Sequence, residues 1–231
     1  NGREEKKKKQ VRGIRISTVN MIMIFISCAL YVLLITATVR VSDRYKDVHS
    51  SMDDYIAFEE NEALLTDGSA YLTEQVRLYT VTLEPQYMEA YFTEANVTKR
   101  RETALEELKT SHEGNKAYEY LAEALGHSND LMNDEIYAMR LISEAQGYPE
   151  DRLPEEVQAV PLNDGDQNMS QEEMIRKARE IVFGTSYQEV KTRISDSVNS
   201  SAESIHEMTH QQMLGDVEEL ESTMAIQRRL I

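Results

Sequence analysis

A single cysteine in 231 residues leaves no internal disulfide framework and no Cys-rich zinc site. Nine glycines and four prolines exclude collagen-like and low-complexity chains. They also disfavour a fold of many short strands joined by turns. Basic side chains are in deficit. There are 25 Lys and Arg against 41 Asp and Glu, a net charge of -16, which argues against a nucleic-acid surface. The length suits one domain of ordinary size and is too short for two large ones. What the chain does have is long helical periodicity, one charge-free run and a strongly uneven distribution of charge.

Residues 1–15 carry seven basic side chains, Arg3, Lys6, Lys7, Lys8, Lys9, Arg12 and Arg15, against Glu4 and Glu5. From Ile16 to Val39 no charged side chain occurs. A hydrocarbon core of about 30 Å needs about 20 helical residues, so this run is long enough to span it. The basic flank is expected to stay cytoplasmic. The expected organisation is therefore a cytoplasmic basic segment at 1–15, a transmembrane helix at 16–39 and an extracytoplasmic helical domain at 40–231. A cleaved signal peptide fits less well. Its apolar part would be shorter, and Ala37-Thr38-Val39-Arg40 is a poor cleavage site. Cys28 reads as a small apolar residue within the span.

Everything after the span reads as helix. Leu65, Leu72, Val76, Tyr79 and Leu83 recur at spacings of sevens, threes and fours, a bundle seam over 41–82. Gly68 weakens that helix without ending the pattern. Pro85 suits the first position of a second helix, running to about Lys109 with Met88, Tyr91, Ala95, Leu105 and Leu108 inward. His112-Glu113-Gly114-Asn115 makes a turn. A third helix follows, with Tyr118, Leu121, Leu125, Ser128, Met132, Ile136, Met139 and Ile142 on one face. Gly147 and Pro149 end it. A loop of about twenty residues, holding Pro154, Pro161 and Gly165, has the length that often marks a functional or mobile region. Ser170-Gln171-Glu172-Glu173 is a capping-box pattern opening a short helix to Phe183, with a kink expected at Gly184. The last helix carries the stripe Tyr187, Val190, Ile194, Val198, Ser201, Ile205, Met208, Gln212, Val217, Leu220 and Met224.

The predicted fold is all-α: a transmembrane helix continuing into an up-down-up-down four-helix bundle. Residues 41–82 would rise about 63 Å and 187–231 would descend about 68 Å at the helical rise, making a matched pair that reaches the membrane. Arg228-Arg229-Leu230-Ile231 then stands where a second span is expected to begin, so the sequence reads as truncated there.

The stretch Leu72-Thr73-Glu74-Gln75-Val76-Arg77-Leu78-Tyr79, with Val81-Thr82 and Tyr87, is similar to the "LTxxVRxYxxT…Y" pattern of one group of helical sensors. Ser128-Asn129-Asp130-Leu131-Met132, with Glu135, Ala138, Met139 and Arg140, is a second such stretch. Together with the basic start, the anchor and the helical remainder, these residues make nearly the whole chain resemble one family. It resembles the extracytoplasmic four-helix sensor region of bacterial transmembrane receptors: methyl-accepting chemotaxis receptors, sensor histidine kinases and membrane-bound diguanylate cyclases. The resemblance implies a second span, usually a HAMP linker, and a cytoplasmic output domain beyond these residues. It does not choose among outputs.

Arg77 follows the seam position Val76, and its guanidinium is suited to gripping a carboxylate through two parallel hydrogen bonds. Thr73, Tyr79, Tyr91, Asn129, Glu135 and Arg140 are the other candidates to line an interhelical ligand pocket with it. The competing reading pairs Arg77 with Glu74, Glu135 or another acid as a structural ion pair.

Two local motifs invite metal chemistry. His206-Glu207-Met208-Thr209-His210 matches H-E-x-x-H, which sets two imidazoles one helical turn apart with Glu207 as a base. The longer zinc-protease pattern fails, because Met213 and Asp216 stand where Gly and His belong, and no strand is predicted to hold a peptide. Asp164-Gly165-Asp166-Gln167-Asn168 resembles the start of a calcium loop, but Met169 and Ile175 occupy its Gly and Glu positions.

The expectation is a signalling receptor with no catalytic residue, metal or cofactor in this region. A membrane-anchored zinc protease and a passive helical stalk are the alternatives. Its expected partners are a small-molecule ligand or a periplasmic or extracellular binding protein, membrane lipid, and a second copy in a homodimer. No nucleic acid is expected.

Overall fold

A computed structural model describes residues 16–230, so the predicted cytoplasmic basic segment 1–15 and Ile231 lie outside the described residues. The chain is all-helical over that range, with no strand among the described residues. Helix α1 (Ile16–Thr82) is unbroken for 67 residues. Neither proline nor more than one glycine interrupts it, and Gly68 sits inside it as the periodicity predicts. By length and composition it is able to cross a membrane, and only 6% of its most apolar 18-residue window is buried within the chain.

The helix stops where the local chemistry requires. Leu83 adopts a left-handed backbone (φ 65°), Glu84 is extended, and Pro85 opens α2 (Pro85–Thr93). The sequence predicted one helix from Pro85 to about Lys109. The structure instead inserts a π-turn, Glu94–Thr98, and a left-handed Lys99 (φ 51°) before α3 (Arg100–His112). Pattern alone missed this break, because a π-turn adds a residue without needing Gly or Pro.

Gly114 (φ 85°) makes the next turn, and the Asn115 side chain caps α4 (Lys116–Ala145) by accepting the Tyr118 N–H at 2.8 Å. At the other end Tyr148 N–H bonds Ser143 O and Gly147 N–H bonds Glu144 O. With Gly147 at φ 66° this is a Schellman ending. The loop after it holds a 3-10 turn, Glu150–Arg152, and α5 (Glu155–Gln158).

Ser170 and Glu173 form the predicted capping box at the start of α6 (Gln171–Phe183). Gly184 is extended between α6 and α7 (Thr185–Leu230). A Cβ there would lie 2.4 Å from the Glu180 carbonyl oxygen, so the break depends on glycine.

The chain divides into two compact units. The first comprises residues up to Ser51 together with Gln212 onward. Within it α1 and α7 run antiparallel. Arg44 meets Glu219 at 2.5 Å, and Gln212 donates to Ser51 at 2.8 Å. The second unit, Met52–Gln211, holds most of the apolar core. Phe58, Leu65, Leu72, Val76 and Tyr79 supply the buried face of α1, Leu121, Met139 and Ile142 that of α4, and Tyr187 and Ile194 that of α7. The predicted stripe on α7 is buried or half-buried as far as Ile205, while Met208, Val217 and Met224 are exposed.

Candidate functional site

Within the second unit, a carboxylate sits where the core should be apolar. Glu135 on α4 is 2% exposed. Tyr91 of α2 donates its hydroxyl to Glu135 Oε2 at 2.6 Å, and Tyr187 of α7 donates to Oε1. The Tyr187 hydroxyl also lies 3.2 Å from Thr73 Oγ1 on α1, to which Lys191 Nζ donates at 3.2 Å. Four helices thus meet at one polar cluster. Burial pushes the Glu135 carboxyl above its ordinary range, against the pull of both tyrosine hydroxyls and of the Lys191 and Arg101 charges. Burial likewise pushes Lys191 down, while Glu135 pulls it up and Arg77 adds to the depression. Tyr187 is raised, first by burial and then by the neighbouring Glu135.

Below this cluster lies a buried cation. Arg101 on α3 is 1% exposed, yet it donates to Ser128 Oγ at 2.7 Å and to Glu102 at 2.9 Å. Ser128 in turn meets Ser69 of α1 at 2.9 Å. Gly68 makes room for this arginine, since a Cβ at 68 would stand 2.8 Å from Arg101 Cγ.

Beside the polar cluster a groove of about 470 Å³ opens along α1. It is lined by Ala70, Thr73, Glu74, Arg77, Leu78 and Val81, with Phe183 and Lys191 opposite. Arg77 donates Nε–H to the Val182 carbonyl at 3.0 Å. Its guanidinium carbon lies 4.9 Å from the Phe183 ring centroid and 5.2 Å from that of Tyr187, a cation–π pair of contacts. Its Nη2 is buried with no hydrogen-bond partner among the described residues. Arg77 is thus held by a carbonyl and two rings, and neither Glu74 nor Glu135 is its ion-pair partner.

Of the residues singled out in sequence, Thr73, Arg77, Tyr91 and Glu135 come together here. Tyr79 lies at another level, fully buried against Ser143 at 3.2 Å, where burial pushes it up to about 12. Asn129 is exposed. Arg140 faces a separate cleft of about 580 Å³ under the loop, 3.4 Å from Glu144 and 3.8 Å from Glu150. Sequence reasoning placed Tyr187 on the core stripe and passed over Lys191. The signal was present in their spacing of four, which matches that of Thr73 and Arg77 and puts each pair on one helix face.

The two metal-like motifs resolve differently. His206 and His210 stack on the exposed face of α7, with ring centroids 6.2 Å apart and planes 3° from parallel. No group of three or more His, Cys, Asp or Glu able to hold a metal occurs among the described residues. In the loop, Asp166 points inward. Lys177 donates to both of its oxygens at 2.6 Å, and Tyr137 donates at 2.5 Å. The Lys177 hydrogen bonds hold its carboxyl below the usual range. The loop is therefore pinned to α4 and α6, and the charge of Asp166 is already neutralised.

No protein-family model, curated protein or solved structure matches the chain.

Proposed function

We propose that the chain is the membrane-anchored, extracytoplasmic sensing region of a bacterial transmembrane receptor, with the groove beside Arg77 as its ligand site. One observation carries the reading. A single helix, α1, holds both the apolar run and the residues Thr73 and Arg77, which line a groove backed by a buried polar cluster. A passive stalk has no need of a buried Glu–Tyr–Lys cluster, which is costly unless every member is satisfied.

Pairings within the second unit support an up-down-up-down course. Phe58 packs on His112, and Gly68 on Arg101, so α1 and α3 are antiparallel. Ser69 meets Ser128 and Tyr79 meets Ser143, so α1 and α4 are parallel. Tyr187 bonds Glu135 and Ser201 bonds the Ala117 carbonyl, so α7 descends against α4. Exposed Leu214, Val217 and Met224 on α7 favour a second copy packing there.

In this reading residues 1–15 are cytoplasmic, 16–39 cross the membrane and the remainder is outside. The groove volume favours a small molecule over a binding protein. Ligand binding biases two arrangements of α7 against α1, and the shift passes along α7 toward the membrane. The region binds and transmits, and catalysis belongs to a cytoplasmic output domain. The gene beyond Ile231 tests this. A second apolar span of about 20 residues followed by a cytoplasmic signalling domain is expected. A secreted domain supplying a third zinc ligand to His206 and His210 would overturn the receptor reading.

A further inference from the structure

The groove along α1 has an unusual combination of linings. Its walls are largely apolar, from Ala70, Leu78, Val81 and Phe183, and the Val81 and Phe183 side chains are 53% and 47% exposed. Large apolar side chains left open beside a concavity mark a contact surface for something apolar. At the inner end stand two cations, Arg77 and Lys191, against one carboxylate, Glu74, which is exposed.

Neither cation is neutralised by a salt bridge in the groove. Arg77 spends Nε on a carbonyl, its face on two rings, and leaves Nη2 buried without an acceptor. Lys191 donates to a neutral hydroxyl, Thr73 Oγ1. Arg77 is half-buried and lines the groove, so a ligand there meets its accessible atoms rather than the buried Nη2. An anion in the groove gives both cations a charged acceptor, and charge-assisted bonds from a guanidinium and an ammonium are the strong kind. Among the side chains that line the groove two are positive and one negative, Glu74, and the buried Glu135 behind them also acts on Lys191, so at most one further negative charge is accommodated.

We propose that the groove takes an amphipathic monocarboxylate. The carboxylate sits between Arg77 and Lys191, and an aryl or alkyl body lies along Leu78, Val81 and Phe183. The volume of about 470 Å³ is within the range of pockets that take small molecules. Its biological meaning rests on the sensor reading above, whereas the site itself rests on the groove.

The test is calorimetric titration of residues 1–231 in lipid nanodiscs with phenylacetate, benzyl alcohol and succinate. Phenylacetate is expected to bind saturably. Benzyl alcohol lacks the charge and succinate lacks the apolar body, so both are expected to bind at least about tenfold more weakly. Arg77→Met and Lys191→Met are each expected to weaken phenylacetate by about tenfold or more with the helical circular dichroism unchanged. Asn129→Ala, on an exposed surface, is expected to leave binding as it was.

Absent binding of phenylacetate at millimolar concentration overturns the proposal. So does equal binding of benzyl alcohol, equal binding of succinate, or phenylacetate binding that survives both folded Met variants. The sensor reading fails separately. If phenylacetate binds at Arg77 and Lys191 but changes no output when the chain is joined to a signalling domain, the ligand class stands and the sensor falls. If groove substitutions alter output while no acid binds, the sensor stands and the ligand class falls.

Discussion

Glu135 shows how single residues set the properties of the site. Its carboxylate is isolated from water and held by two tyrosine hydroxyls. Tyr187→Phe leaves one oxygen of that carboxylate without its donor. A buried group losing a partner costs about 1–3 kcal/mol. Chemical denaturation of Tyr187→Phe is expected to show a loss in that range, and no measurable loss would mean Glu135 is already solvated. Glu62 offers a pH test on the same unit. Burial, with Glu59 adding, pushes its carboxyl up from 4.5 to about 7. The folded state therefore holds that proton longer than the unfolded chain. The contribution is fully present below pH 4.5 and is lost as pH rises to about 7. The melting temperature is expected to fall across that window, and Glu62→Gln is expected to flatten the fall. An unchanged slope in the variant would assign the pH dependence elsewhere.

At the scale of elements, the helices were legible and their interruptions were only partly so. The end of α1 at Thr82, the Pro85 start, the Gly147 ending and the Ser170 box all follow from residues with strong local preferences. The π-turn at Glu94–Thr98 carries no such residue, and only packing reveals it. The same division holds for the site. Thr73 and Arg77 stand out because spacing puts them on one face beside the seam. Lys191 does not, since a lone lysine on a helix usually points to water, and only the neighbouring Glu135 and Thr73 draw it inward. Asn129 and Arg140 share a helix with Glu135 but face other ways, which their spacing from Glu135 already encodes. Gly68 is the sharpest test at this scale. Alanine there gains about 1 kcal/mol of helix propensity. It also places a Cβ 2.8 Å from the buried Arg101. Overpacking of this kind costs about 1–3 kcal/mol, so Gly68→Ala is expected to lower the melting temperature despite the better helix former. A higher melting temperature would mean that Arg101 does not occupy that space.

For the whole molecule, the proposed sensing role requires the groove to face the extracytoplasmic side of the membrane. The proposed topology, which rests on the charge-free run of α1 and the basic residues before it, puts residues 40–231 outside. In cells carrying Cys28→Ala and Asn129→Cys, a membrane-impermeant maleimide is expected to label residue 129 without permeabilisation. Labelling only after lysis would place the groove in the cytoplasm and remove the sensing role.

The most direct test of sensing joins residues 1–231 to the return span and kinase half of a receptor of known output. Arg77→Ala and Lys191→Met, at the groove, are predicted to shift kinase output in living cells at unchanged protein level. Asn129→Ala is predicted to leave it at the parent value. If the groove variants and the surface variant give the same output as the parent, the groove does not communicate with the membrane and the account is wrong.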